Sequence, residues 1–158
     1  MKKHTIVYSG YEGASSTKDY GVSVTQTSGI STSGSRGLSI TGDGGRAKAG
    51  DKGTAISGQK GISLSGNYGR SVSGPHGTSV SGPNGLSITG DFGYAHAGVG
   101  GSVSAGKGGE ICIDYRDNGF RIYGSIAETI GEDGLLPNVL YRLNSSNEFV
   151  PVEEVNND

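Results

Sequence analysis

Residues 34–41 read Gly-Ser-Arg-Gly-Leu-Ser-Ile-Thr, and the pattern returns as GQKGISLS at 58–65, GPHGTSVS at 74–81 and GPNGLSIT at 82–89. Between these clear copies a glycine falls on every eighth residue from Gly42 to Gly106. Degenerate units extend the series back to GYEGASST at Gly10 and forward to GKGGEICI at Gly106, giving thirteen units over residues 10–113. A short fixed period means stacked copies of one small element, not an ordinary globular fold.

Composition sharpens that reading. The chain has 31 glycines in 158 residues and is only 32% hydrophobic, a mix that without register would point to disorder. Disorder has no need of a strict period. Collagen is excluded because glycine does not recur every third residue and there are only 4 prolines. A net charge of −2 supplies no general attraction to nucleic acid or anionic membrane. The single cysteine, Cys112, cannot form an intramolecular disulfide. The opening MKKHTIVYSGYEG has no apolar run of the secretory kind, and no stretch has the length of a membrane span. The expectation is a cytoplasmic protein, with a place in a virion as the other option.

Within one unit, numbered one to eight from its first glycine, positions five to eight alternate as a short strand and Gly-x-x-Gly forms a turn. The turn reading assigns glycine the positive φ of a tight corner. Positions six and eight are small, as in Ser39 and Thr41, Ala47 and Ala49, Ser63 and Ser65, Ala95 and Ala97. Positions five and seven vary, as in Leu38 and Ile40, Arg46 and Lys48, Tyr94 and His96. The two pairs point to opposite faces of a strand. A pair such as Arg46 and Lys48 cannot sit unpaired in a core, so the small residues face inward. The alternative assignment puts the aliphatic residues inside and the small ones outside.

Small inward residues suit a thin coil, because a wide tube lined with serine and alanine would leave a void. The predicted fold is all-β: a flat two-sided β-solenoid, or β-helix, of eight-residue half-coils with a C-terminal antiparallel β-hairpin cap. A 24-residue shift also aligns Leu38 with Ile62 and Leu86, and a three-sided coil or a block duplication would each produce that. The organisation expected is an N-terminal capping strand at 1–9, the solenoid at 10–110, and a cap at 111–158 ending in a disordered acidic tail. Within the cap, ICIDYR, a turn at Asp117-Asn118-Gly119 and FRIYGSIAE form one hairpin, and VLYRLN with FVPVE a second.

The cap also carries a family resemblance. Gly109, Ile111, Cys112, Pro137, Asn138, Tyr141, Leu143, Phe149 and Val150 match the close of glycine-punctuated Ser/Thr/Ala repeat proteins common in phages and prophages. The chain resembles that family, which has no established activity, so the resemblance carries over no catalytic residue. Members often have threonine at positions five and seven; bulky apolar and basic residues stand there in this chain.

No catalytic, metal-binding or cofactor-binding set emerges. His4, His76 and His96 do not pair at ligand spacing, and Tyr94, His96 and Asp91 form at most an acid–base group on a solvated strand. Cys112 fits a buried cap residue better than a nucleophile. Asp19, Asp43, Asp51 and Asp91 occupy corners but do not recur in every coil, which fits turn chemistry better than calcium ligation. Outward threonines are limited to Thr32, Thr54 and Thr78, too few for an ice-binding array.

What remains is surface. With two units per coil, Val22, Val24, Leu38, Ile40, Ile56, Val72, Leu86 and Ile88 fall on one face, with Thr54 and Arg70 between them. This is the candidate interaction and oligomer face. Arg46, Lys48, Arg70, Tyr94 and His96 are the candidate polar binding patch. The functional expectation is a non-enzymatic, phage-encoded binding protein. It self-associates as a dimer or trimer and blocks a host protein, in the manner of a counter-defence inhibitor. A structural virion or adhesin part, such as a tail-fibre tip, is the alternative, and ice binding ranks behind it. No cofactor, membrane or nucleic-acid partner is expected.

Overall fold

The computed structural model describes residues 5–116 and 122–152. The described residues form strands, bridges and turns, with no helix. β1 (Ile6–Ser9) is followed by thirteen strands, one per repeat unit. These are β2 (Ala14–Ser16), β3 (Val22–Thr25), β4 (Ile30–Thr32), β5 (Leu38–Ile40), β6 (Arg46–Lys48), β7 (Thr54–Ile56) and β8 (Ile62–Ser65). They continue as β9 (Arg70–Val72), β10 (Thr78–Ser81), β11 (Leu86–Ile88), β12 (Tyr94–Ala97), β13 (Ser102–Ser104) and β14 (Glu110–Arg116). Three more strands complete the chain: β15 (Ile122–Thr129), β16 (Tyr141–Leu143) and β17 (Phe149–Pro151).

Odd and even strands separate into two sheets. One is nine-stranded, in the order β1-β3-β5-β7-β9-β11-β13-β16-β17; the other is eight-stranded, β15-β14-β12-β10-β8-β6-β4-β2. Repeat strands pair in parallel with the residue sixteen places on, as in Leu38↔Thr54, Thr54↔Arg70 and Arg46↔Ile62. The coil is therefore sixteen residues and two-sided. The 24-residue correspondence has no counterpart in the pairing and reflects sequence similarity between blocks.

The inside of the slab is made of small side chains. Ser23, Ser31, Ser39, Ser63, Ser71, Ser79 and Ser87 are fully buried, as are Ala55 and Ala95. The aliphatic residues at positions five and seven lie on the outer faces, half-buried except for the exposed Ile30. This rules out the reversed assignment with aliphatic side chains inside. A buried hydroxyl must be hydrogen-bonded, and position six meets this in a repeating way. Ser39 Oγ donates to the Lys48 carbonyl at 2.6 Å, and Ser63 to Val72 and Ser71 to Val80 in the same manner. Each also lies close to the position-eight hydroxyl six residues back, such as Ser33 for Ser39 at 3.0 Å.

The glycines serve a different purpose from the one expected. In ten of the repeat turns, from Glu12 to Phe92, the left-handed residue at position three is not glycine. Arg36 has φ 56°, Lys60 53°, His76 55° and Phe92 54°. The flanking glycines at positions one and four provide space. A Cβ on Gly61 would lie 2.6 Å from Ser57 Cβ, and one on Gly58 would lie 2.7 Å from the Asp43 backbone nitrogen one coil below. At position one it is contact with the coil below, and at position four chiefly contact with the side chain ending the preceding strand, not a left-handed conformation, that demands glycine.

Corner aspartates tie successive coils together. Oδ1 of Asp19, Asp43, Asp51 and Asp91 accepts the backbone N–H of Ser35, Gln59, Asn67 and Lys107 respectively, each at 2.8 Å.

At the C-terminal end the core widens. Val103, Ala105, Ile111 and Ile113 meet Ile130, Leu135 and Tyr141, with Val139, Leu143 and Phe149 packed against them. The two expected hairpins form here. β15 runs antiparallel to β14 and extends the eight-stranded sheet, while β16 and β17 close the nine-stranded one. The Asp117-Asn118-Gly119 turn and the acidic tail from Glu153 lie outside the described residues. β1 pairs in parallel with β3 in the register of every other rung, Ile6↔Val22 and Tyr8↔Val24, so it is the first rung of the solenoid.

Candidate functional site

All eight aliphatic residues of the candidate interaction face lie on the nine-stranded sheet. Parallel register stacks them in two ladders. Position five gives Val22, Leu38, Thr54, Arg70 and Leu86; position seven gives Val24, Ile40, Ile56, Val72 and Ile88. β1 adds Ile6 and Tyr8, both strongly exposed, to the ends of the ladders. Thr54 and Arg70 interrupt only the position-five ladder, so the position-seven ladder is aliphatic from Val24 to Ile88.

The five residues of the candidate polar patch do not come together. Arg46 and Lys48 lie on β6 and Tyr94 and His96 on β12, in the same sheet but with β8 and β10 between them. At a strand spacing of about 4.8 Å, three rungs separate the pairs by roughly 14 Å. Arg70 lies on the opposite sheet. A residue eight places on always changes sheet, and Arg46 and Arg70 are three units apart. The outward threonines divide likewise: Thr54 on one sheet, Thr32 and Thr78 on the other.

Tyr94 and His96 instead belong to a cluster with the cap. His96 Nε2 lies 2.8 Å from Asp114 Oδ1, which also accepts a hydrogen bond from Ser125 Oγ at 2.6 Å. His96 pairs in register with buried Cys112, and Tyr94 with Glu110. Burial, followed by a hydrogen bond with Cys112 and the carboxylates of Glu110 and Asp114, holds the Tyr94 hydroxyl proton well above the ordinary tyrosine range. Asp91, a sequence candidate for the same group, lies in a corner and caps Lys107 instead. His96 and Ser125 thus converge on one oxygen of Asp114. The arrangement anchors β14 and β15 to the last coil. Among the described residues, no three His, Cys, Asp or Glu side chains group closely enough to hold a metal ion.

Side chains sixteen residues apart also stack along the corners, a contact that the eight-residue pattern hides. Arg36 Nη1 donates to the Tyr20 hydroxyl at 2.6 Å with its guanidinium over the ring. Lys52 Nζ lies over Tyr68, and His76 stacks on Phe92 with ring centroids 5.4 Å apart. Writing the sequence in rows of sixteen would have aligned each pair.

Two clefts open at the C-terminal end. One, of about 450 Å³, is lined by the Val99–Gly101 corner, by Ile113 to Arg116, and by Arg142 to Asn144 with Asn147. The other, of about 330 Å³, is lined by Ile126, Glu128, Asp133, Leu135, Asn147, Glu148 and Phe149. Among the described residues, no helix is long and apolar enough to cross a membrane. Comparison of the chain with protein-family models, with curated proteins and with solved structures gives no match.

Proposed function

We propose that the protein is a non-enzymatic binding module that pairs with a second copy of itself through the nine-stranded sheet. One observation carries this reading: the aliphatic residues of alternate units fall into two registered ladders across β3 to β11, and Arg70 is their sole charge. Five rungs at about 4.8 Å, with strands three to four residues long, give an apolar footprint on the order of 300–400 Å². A patch of that extent matches the largest on a typical monomer, and such patches are often functional.

A second copy fits the shape and chemistry of this face. The face is flat and repeats along one axis, so a two-fold operation lays ladder on ladder with sheets about 10 Å apart. A stable interface buries about 800 Å² per partner, so the ladders supply its centre and the polar corners its rim. Arg70 occupies position five, beside the Gly66–Gly69 corner, and is exposed; a side chain of its length can lay its stem on apolar surface and carry its charge to the rim. The eight-stranded sheet, with Arg46 and Lys48 at one level and Ile62, Leu64 and Val80 above them, is left to a macromolecular partner such as a host protein.

Sedimentation velocity tests the reading. The wild type should sediment as a dimer or larger, and Leu38→Asp with Ile88→Asp as a monomer with an unchanged circular dichroism spectrum. Thr54→Glu, at the centre of the same face, introduces charge without removing an aliphatic contact and should also weaken association. A monomeric wild type, or folded variants that keep the wild-type mass, would refute it.

A further inference from the structure

The 450 Å³ cleft exists because the glycine ruler stops. Along this edge every coil from Gly34 onward is closed by a Gly-x-x-Gly corner, the last being Gly98–Gly101. One coil later the pattern would place glycines at 114 and 117, where the chain has Asp114 and Asp117. No corner forms there. β14 runs straight on to Arg116, and the ladder register shifts between Tyr115 and Arg116. Such shifts re-aim side chains and recur beside functional sites. The gap left between β14 and the β16–β17 turn is the cleft.

Its lining is suited to an anion. Arg116 and Arg142 contribute two cations. Among the described residues neither guanidinium takes part in an ion pair or hydrogen bond. Asp114, the one carboxylate in the lining, already receives His96 and Ser125 on the outer face. Below, the position-three N–H of each coil donates to the position-two carbonyl of the next: Lys52 to Asn67, Tyr68 to Pro83, Asn84 to Val99. Among the described residues no carbonyl continues this series above Gly100, so by the same geometry the Gly100 N–H faces the cleft. Val99 and Leu143, both half-buried, add apolar wall. The volume suits a small molecule, and a few convergent polar groups on apolar walls are what such sites contain. The neighbouring cleft, which shares Asn147, carries Glu128, Asp133 and Glu148, so opposite charges are sorted into adjacent hollows.

We propose that this cleft is a binding site for a small molecule bearing an oxyanion, carboxylate or phosphate, on a compact apolar body. Arg116 and Arg142 hold the oxyanion, Gly100 N–H donates to it, and the Val99 and Leu143 side chains contact the body. Guanidinium groups suit both oxyanions because their paired donors match either geometry.

Amide and arginine-Nε NMR titration of the full chain with phenyl phosphate, benzoate and neutral benzyl alcohol tests the assignment. One or both anions should produce saturable shifts at Gly100, Gly101, Arg116 and Arg142. Benzyl alcohol should not, and Leu135 and Glu128 of the acidic cleft should stay unmoved. Response to phenyl phosphate alone identifies a phosphate site, and response to benzoate alone a carboxylate site. Arg116→Gln and Arg142→Gln, checked for folding by their amide spectra, should each weaken binding about tenfold, with Arg→Lys losing less. The proposal falls if neither anion gives saturable shifts, if shifts scatter over surface lysines, or if both glutamine variants bind as the wild type does.

Discussion

Thr41 Oγ1 is buried without a hydrogen-bond partner, and the residue six places on, where other units supply a serine, is Ala47. Thr89 is orphaned in the same way beside Ala95. Where position eight is serine, the next position-six serine meets it, as Ser63 meets Ser57 at 2.9 Å and Ser87 meets Ser81 at 2.9 Å. Thr17 and Thr25 are unpartnered even with Ser23 and Ser31 six places on, since those serines bond to Ser15 and to the Ser23 carbonyl. The interior is a hydrogen-bonded ladder with alanine gaps, and each gap beside a threonine leaves an acceptor and a donor unused.

Ala47→Ser should therefore stabilise the protein. The new hydroxyl takes the place that Ser39 and Ser63 hold in their own coils, reaching the Ile56 carbonyl. One buried hydrogen bond contributes about 1 kcal/mol, which for a chain of this size raises Tm by roughly 2–4 °C. Thermal and urea unfolding followed by circular dichroism would measure it. A lowered stability would show that the coil lacks room for the added oxygen.

Neighbouring residues at one corner should respond in opposite senses to the presence of a side chain. Gly61→Ala forces a Cβ to within 2.6 Å of Ser57 Cβ and should cost about 3 kcal/mol or more. Lys60 has φ 53°, and Lys60→Gly relieves about 1 kcal/mol of left-handed strain, less the entropy glycine adds to the unfolded chain. Equal effects in denaturant unfolding would contradict the division between space at position four and conformation at position three.

Corner carboxylates act as caps between coils. Asp51→Ala removes the bond to the Asn67 N–H and should cost about 1 kcal/mol, while Asp51→Asn keeps an acceptor oxygen and loses less. Millimolar calcium should leave the Tm of the wild type unchanged. A calcium-dependent rise that disappears in Asp51→Asn would assign these aspartates to a metal instead.

Tyr94 should make stability fall at high pH. Its folded pKa lies above the unfolded value of about 10. Below that value both states keep the proton and stability is undiminished. Above it the unfolded state ionises first, so stability declines as pH rises. Tyr94→Phe should flatten the part of the decline above about pH 10 that this group causes. An identical slope in both proteins would remove Tyr94 as its source.

The repeat made much of this legible in advance. Small residues at Ser39 and Ala47 against Leu38 and Arg46 identified the inner and outer faces, and uniform smallness selected a coil of two sides. The eight aliphatic residues could be placed together because alternate units share a sheet. The same rule, not applied to Arg70, would have kept it out of the polar patch. The role of glycine was misread because one unit shows a turn but not the coil beneath it. Only the folded chain shows Gly58 crowded by the coil below and Gly61 by Ser57, while Lys60 carries the left-handed angle.

By itself, then, the eight-residue period determined the backbone path, its sidedness and the composition of each face, since all three follow from local alternation and side-chain size. Tertiary structure decided what meets across coils. It placed Arg36 on Tyr20, His76 on Phe92, and His96 and Ser125 on Asp114, and it opened a cleft where Asp114 stands in place of a corner glycine. These contacts join residues that are eleven to eighteen positions apart, or belong to hairpins with no period at all. They depend on register between rungs and on how the cap closes the slab, which no single unit encodes.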